Sequence, residues 1–244
     1  MMLPQIGEKG QQLLEAARVT VIGAGGLGSP VLTYLAEAGV GHLRCIDDDI
    51  VSVTNLNRQF LHGEQDVGKR KTDSAGEALR RLNSALQMEL LSSRLTEKNA
   101  GKLIEGSNVL IDCVDSIAAR LNVNRACLEK GIPLVEGGIS GFYGFVTVIR
   151  PEDACLECMG YHEGMDGKTI PSIGATAGVI GSLQAAECLK IILGAGEPLY
   201  GRMLQYDGLT GSFDEIEVFR NEACTLHGHA EQNKNRKQVE NNDG

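Results

Sequence analysis

The sequence predicts an α/β fold: a doubly wound, mostly parallel sheet with antiparallel strands added at its C-terminal side. Three observations carry this reading. From residue 18 to about 138, short apolar runs of strand length alternate with stretches of helix length. The first run continues straight into a glycine-rich turn, "RVTVIGAGGLGS" (18–29), as in β-α-β units that hold a phosphate at a helix N-terminus. Beyond residue 144 the pattern changes: a half-exposed strand and one long helix are followed by two runs that look like antiparallel additions to the same sheet.

Taken in order, a polar start precedes the strand "RVTVIG" (18–23). The helix "LGSPVLTYLAEAG" follows, with Pro30 in its first turn, where a missing N–H costs least. The strand "HLRCID" (42–47) completes a β-α-β unit. After a polar stretch come a helix near 69–82, a strand at "MELLSS" and a helix near 96–105. A fourth strand at "NVLIDC" (108–113), a helix near 117–130 and a strand at "PLVEGG" extend the alternation. "GFVTVIR" (144–150) alternates like a half-exposed strand, and "GATAGVIGSLQAAECLKIIL" (174–193) reads as one long helix rich in small residues. "RMLQYD" and "SFDEIEVFR" are expected to add antiparallel strands, and the polar "EQNKNRKQVENNDG" (231–244) to form a disordered tail. Residues 1–230 are expected to be a single domain.

Composition narrows the function classes. The 244 residues are 42% hydrophobic and 23% charged, ordinary for a soluble globular chain. No apolar run is expected to reach the length of a membrane span, and "MMLPQIGEKG" lacks the regions of a signal peptide, so a cytoplasmic location is expected. A net charge of −9 argues against a broad nucleic-acid surface. Seven cysteines, an odd number, suit thiols or metal ligands better than a disulfide framework.

Gly23, Gly25 and Gly28 permit a tight turn and close approach of the backbone to an anion, the Rossmann-like arrangement. Asp47, ending the second strand, is placed to bond ribose hydroxyls of NAD or ATP. Two later segments separate these ligands. "IDDDIVSVTNLNRQF" (46–60) and "VGKRKTDSA" (67–75) offer Arg58 and Lys71, cations that a triphosphate needs and a dinucleotide does not. Asp115, in "DCVDS", is expected to end the fourth strand, where it could hold Mg²⁺. "CLEC" (155–158) and "CTLH" (224–227) form two close pairs suited to tetrahedral zinc.

"GAGGLGS", "IDDDIVSVTNLNRQ", "VGKRK", "IDCVDS" and "GVIGSLQAAECLKIILG" closely resemble the ubiquitin-activating-enzyme-like adenylyltransferases of sulfur carrier proteins, the ThiF/MoeB/HesA family. The resemblance runs from about residue 3 to 228. It implies that ATP and a carrier's C-terminal Gly-Gly carboxylate react to an acyl-adenylate and pyrophosphate, for thiamine or molybdopterin synthesis. By matching position, Gly23, Gly25 and Gly28 shape the nucleotide turn and Asp47 binds the ribose. Asp49 and Asn55 lie in the nucleotide segment; Arg58, Gln59 and Lys71 contact phosphates; Asp115 binds Mg²⁺. The family commonly carries two C-x-x-C pairs, so Cys155, Cys158, Cys224 and His227 are the implied structural zinc ligands, with His229 as an alternative fourth. A homodimer is implied as well.

Two departures from the family pattern stand out. Many relatives carry a cysteine just before the late helix, where this chain has Gly174, so sulfur is expected from a separate donor protein. Relatives also begin with an arginine-containing segment that this chain starts too late to include, and Arg18 is a poor substitute. Cys45, Cys113, Cys127 and Cys188 read as buried inert thiols, and His162 receives no role. The competing readings are an NAD-dependent oxidoreductase, which leaves "NLNRQ" and Lys71 idle, a non-catalytic carrier-docking subunit, and a related tRNA-modifying ATP-dependent dehydratase.

Overall fold

The computed structural model describes residues 3–165 and 171–227. The polar tail and His229 lie outside these residues. The chain opens with α1 (Gly7–Ala16), β1 (Arg18–Ile22), α2 (Gly28–Ala38) and β2 (His42–Ile46). Two single 3₁₀ turns, Val53–Asn55 and Glu64–Asp66, lead into α3 (Lys71–Leu82) and β3 (Gln87–Leu91). Then follow α4 (Glu97–Leu103), β4 (Val109–Asp112), α5 (Ile117–Lys130), β5 (Leu134–Ser140) and β6 (Tyr143–Ile149). The long α6 (Gly174–Leu193) precedes β7 (Arg202–Asp207) and β8 (Ser212–Glu217).

All eight strands form one sheet in the order β3-β2-β1-β4-β5-β6-β7-β8. Pairing is parallel from β3 through β5 and antiparallel from β5 through β8, as the sequence predicts. The chain winds outward from β1 to β2 and β3, then returns to lay β4 on the other side of β1. The loops after β1 and β4 therefore diverge, opening a crevice at the strands' C-terminal ends, where such sheets bind ligands.

Both faces of the sheet are covered. One apolar layer joins Val21, Cys45, Ile111 and Val148 to Leu14 of α1, Leu32 and Leu35 of α2, Leu79 of α3 and Ile180 of α6. The other joins Ile22, Ile46, Leu110 and Leu134 to Ile104, beside α4, and Leu121 of α5. Each fully buried leucine in these layers contributes ~2 kcal/mol.

Four expectations change. The polar start hides α1, whose buried positions Gly10 and Leu14 form only a narrow stripe against α6. Residues 146–149 of β6 are buried in succession rather than alternately. There α6 covers one face, while Ile149 packs with Cys155 and Leu156 on the other. The last strand ends at Glu217, leaving Phe219 73% exposed. Finally, α6 is long and apolar enough to cross a membrane by length and composition, with a mean hydropathy of 1.3. It owes this to its place in the core: it lies against α2, β5 and β6, and its buried Gln184 donates to the Asp112 carbonyl at 2.7 Å.

Candidate active site

The crevice is floored by the glycine turn. Gly23 has φ +100°, and a Cβ there would stand 2.6 Å from the Cys113 carbonyl oxygen of the neighbouring β4 end. A Cβ on Gly28 would run into the Gly23 carbonyl oxygen, because the first turn of α2 folds back onto the turn that launches it. Gly28→Ala is therefore expected to cost about 1–3 kcal/mol and to weaken ATP binding. Thermal melting and calorimetric titration check this; an unchanged melt and affinity would contradict it.

Asp47 follows β2 and is half-buried. Its carboxylate accepts from the N–H of Ala24 at 2.7 Å and of Asp49 at 2.8 Å. Burial pushes the Asp47 carboxyl up; the Lys71 charge and these two N–H groups pull it back. Lys71 opens α3 almost wholly buried, and its Nζ donates to Asp49 Oδ2 at 2.8 Å. Asp49 thus holds the ammonium at the same crevice as Asp47.

The segment after β2 brings in the remaining polar groups. Asn55 uses its side chain to shape a turn: Oδ1 accepts from the Ser52 N–H at 3.1 Å, and its carbonyl accepts from the N–H groups of Arg58 and Gln59. That turn sets Arg58 beside both Gly26 and Gly174, so the guanidinium's stem lies between the glycine turn and the start of α6. Arg58 Nη1 donates to Thr54 O at 2.9 Å and Asn57 Oδ1 at 3.0 Å. Gln59 is 4% exposed, and its Nε2 is the end nearest Gly25, so a donor faces the turn. Its Oε1 has no hydrogen-bond partner among the described residues, a cost of about 1–3 kcal/mol that a ligand donor would offset.

Asp115 does not end a strand. β4 stops at Asp112, and Asp115 is exposed in the β4–α5 loop at the same end of the sheet. Its charge is felt by the buried Asp112. One outward carboxylate beside a triphosphate is the usual way a protein holds Mg²⁺, which keeps most ligands as water and phosphate oxygens.

Three neighbours carried no usable sequence signal. His62 is buried, with Nε2 donating to the Ala24 carbonyl at 2.9 Å and Nδ1 accepting from the Ser74 hydroxyl at 2.8 Å. Burial lowers its pKa, keeping the ring neutral. Arg120 and Glu136 form a buried ion pair between α5 and β5. A lone histidine and a pair sixteen residues apart look ordinary until the fold joins them to the crevice.

Away from the crevice, Cys155, Cys158, Cys224 and His227 place their ligand atoms within 4.8 Å of one another. The Sγ–Sγ separations are 3.8 Å for Cys155–Cys158 and 3.7 Å for Cys155–Cys224. Four ligands about 2.3 Å from zinc at tetrahedral corners stand about 3.8 Å apart, so the three thiols and imidazole fit that ion. Cys45, Cys113, Cys127 and Cys188 are buried free thiols whose pKa values burial raises, in keeping with inert packing.

A family model described as the ThiF family matches residues 1–226. The SAMP-activating enzyme E1 of Haloferax volcanii is 37% identical over 234 residues, covering 93% of this chain and 86% of that protein. The molybdopterin-synthase adenylyltransferase of Salmonella typhimurium is 39% identical over 225 residues, covering 90% of each. The sulfur carrier protein adenylyltransferase of Thermus thermophilus is 40% identical over 240 residues, covering 93% and 88%. Among solved structures, E. coli MccB with ATP superposes with a TM-score of 0.81 at 24% identity, over 89% of this chain and 69% of that one. That last likeness is one of fold.

Proposed function

This chain belongs to the ThiF family, and on that premise we propose that it is an ATP-dependent adenylyltransferase activating the C-terminal Gly-Gly carboxylate of a small ubiquitin-like sulfur carrier protein. The relatives named as adenylyltransferases support the activity. Within the structure, the observation that carries the reading is the pair of cations around the glycine turn: Lys71 held by Asp49, and Arg58 beside Gly26 and Gly174. A dinucleotide site would leave both without work.

The carrier's ionised carboxylate attacks the α-phosphorus of ATP. A carboxylate–phosphorus bond forms, the bond to the β-phosphate's bridging oxygen breaks, and pyrophosphate leaves with that electron pair. No enzymic nucleophile or base is needed, so the chain's residues position the reactants and neutralise charge. The glycine turn holds the nucleotide, Asp47 takes the ribose hydroxyls, and Lys71, Arg58 and Gln59 Nε2 bond the phosphates as charge moves onto pyrophosphate. Mg²⁺ held by Asp115 would neutralise further phosphate charge. The zinc set would tie the segment after β6 to the segment after β8.

The finer assignments follow from the same surfaces. A cysteine at position 174 would press its Cβ to 2.8 Å from the Asn57 carbonyl oxygen, which supports a separate sulfur donor. An apolar groove of about 550 Å³ between α2 and α6 is lined by Pro30, Tyr34, Phe60, Val179 and Leu183. Tyr34 is 49% and Phe60 60% exposed there, and we assign this face to a second copy of the chain. Unpaired thiols at Cys45, Cys113, Cys127 and Cys188, outside the zinc set, support a reducing compartment such as the cytoplasm.

Pyrophosphate exchange into ATP in the presence of a Gly-Gly carrier tests the reading. Exchange that depends on the carrier is expected; tight NADH binding with no exchange would overturn it. Tight carrier binding without adenylate would favour a docking subunit instead.

A further inference from the structure

Beneath the β4–α5 loop lies a polar cluster that the reaction above leaves unused. Arg120, in the first turns of α5, is 7% exposed; Asp112 of β4 and Glu136 of β5 are wholly buried and stand opposite one another across the parallel pairing. The Arg120 guanidinium forms an ion pair with Glu136 and donates to the Gly137 carbonyl at 2.7 Å. Its Nη2 donates to the Val114 carbonyl, also at 2.7 Å. The Val114 N–H in turn donates to Asp112 Oδ1 at 2.9 Å.

Val114 is therefore held on both sides, its N–H by Asp112 and its C=O by Arg120. Two residues on, Ser116 caps α5 by accepting from the Ala119 N–H at 3.2 Å. Asp115 is the single residue between these two fixed points. Stability alone does not call for such a cluster. It sets two buried carboxylates against one guanidinium, and Asp112 Oδ2 and Glu136 Oε2 have no hydrogen-bond partner among the described residues. Apolar side chains of similar volume usually serve a fold as well as a buried ion pair or better. What apolar side chains cannot do is grip a loop carbonyl.

We propose that Arg120 is a positioning residue for adenylation: it grips the Val114 carbonyl so that the loop presents the Asp115 carboxylate to the metal-bearing triphosphate, with Glu136 keeping the guanidinium in place. This rests on the reading that Asp115 holds Mg²⁺ during carrier adenylation.

The test is the double variant Arg120→Met with Glu136→Met, which removes the ion pair as a unit, keeps Asp112 with its bond from the Val114 N–H, and leaves the Val114 carbonyl without its donor. It is run beside Arg120→Lys, which keeps the pairing with Glu136 but not the fork that serves two carbonyls. Both are expected to fold, by thermal melting. Both should raise the Mg²⁺ concentration for half-maximal ATP–pyrophosphate exchange, the double variant by about tenfold. Calorimetric binding of Mn²⁺ with a non-hydrolysable ATP analogue should weaken in parallel, with little change in the KM for carrier. Wild-type metal dependence in whichever variant folds would overturn the proposal and leave Arg120 a purely structural role. Absence of exchange in the wild-type protein would instead overturn the adenylation reading. An Asp115→Ala variant with wild-type metal dependence would overturn the placing of the metal.

Discussion

Asp115→Ala is expected to lower carrier-dependent ATP–pyrophosphate exchange about a thousandfold or more, to the limit of detection. A charge-stabilising contact made in the transition state is commonly worth that much, about 4 kcal/mol. The substitution should leave the fold as it was. Asp115 is exposed in a loop whose neighbours Val114 and Ser116 are held by other bonds. Exposed substitutions of this kind change stability by about 0.5 kcal/mol or less, and a chain of this size melts within about 2 °C of wild type for such a change. The pair of measurements separates chemistry from folding. Wild-type exchange in the variant would remove Asp115 from metal binding; a large drop in melting temperature would show that the loop, not the carboxylate, had been lost.

The second large effect concerns the metal cluster. Wild-type protein purified without chelator should hold about one zinc per chain, and Cys155→Ala should hold almost none. Cys155 is fully buried and stands close to both Cys158 and Cys224, so its thiolate is the shared corner of the site. Without the ion, residues 224–227 lose their anchor to the 155–158 turn. Since structural zinc binding in small sites is worth about 10 kcal/mol or more, the melting temperature should fall by well over 10 °C. Chelator applied to wild-type protein should reproduce the shift. His227→Cys, which restores a four-thiolate set, should keep both zinc and stability. Substantially less than one zinc in the wild-type protein would count against the site altogether.

Much of this was legible in the amino acids because it is local. The glycine turn must be read next to a strand and a helix, and all three lie within residues 18–38. The two pairs "CLEC" and "CTLH" suggest candidate metal ligands by spacing, though only the fold shows that Cys224 lies 3.7 Å from Cys155. The strands and helices from β1 to α6 follow the expected order because each carries its own apolar pattern. What stayed hidden depends on distant partners. α1 buries a glycine and a leucine, too little for a visible period. The burial of β6 comes from α6 and from Leu156, neither of them in its own pattern. His62, Arg120 and Glu136 acquire meaning only from the carbonyls they face. Asn55 adds a role that its place in a family motif does not reveal: its Oδ1 shapes the turn that aims Arg58 and Gln59.

β8 is the outermost strand of the sheet, every residue of it is exposed, and no further strand pairs with it among the described residues. Phe213 and Ile216 make such an edge attractive to another strand, the usual seed of unwanted association. The same six residues carry Asp214, Glu215 and Glu217, and among the described residues only Glu215 has an ion-pair partner, Arg202 at 3.0 Å. When two copies meet edge to edge, carboxylates face carboxylates, on a chain that already carries a net charge of −9. The acidic edge is thus expected to act as a repulsive fence: its carboxylates disfavour the pairing of two β8 strands that backbone geometry alone would allow.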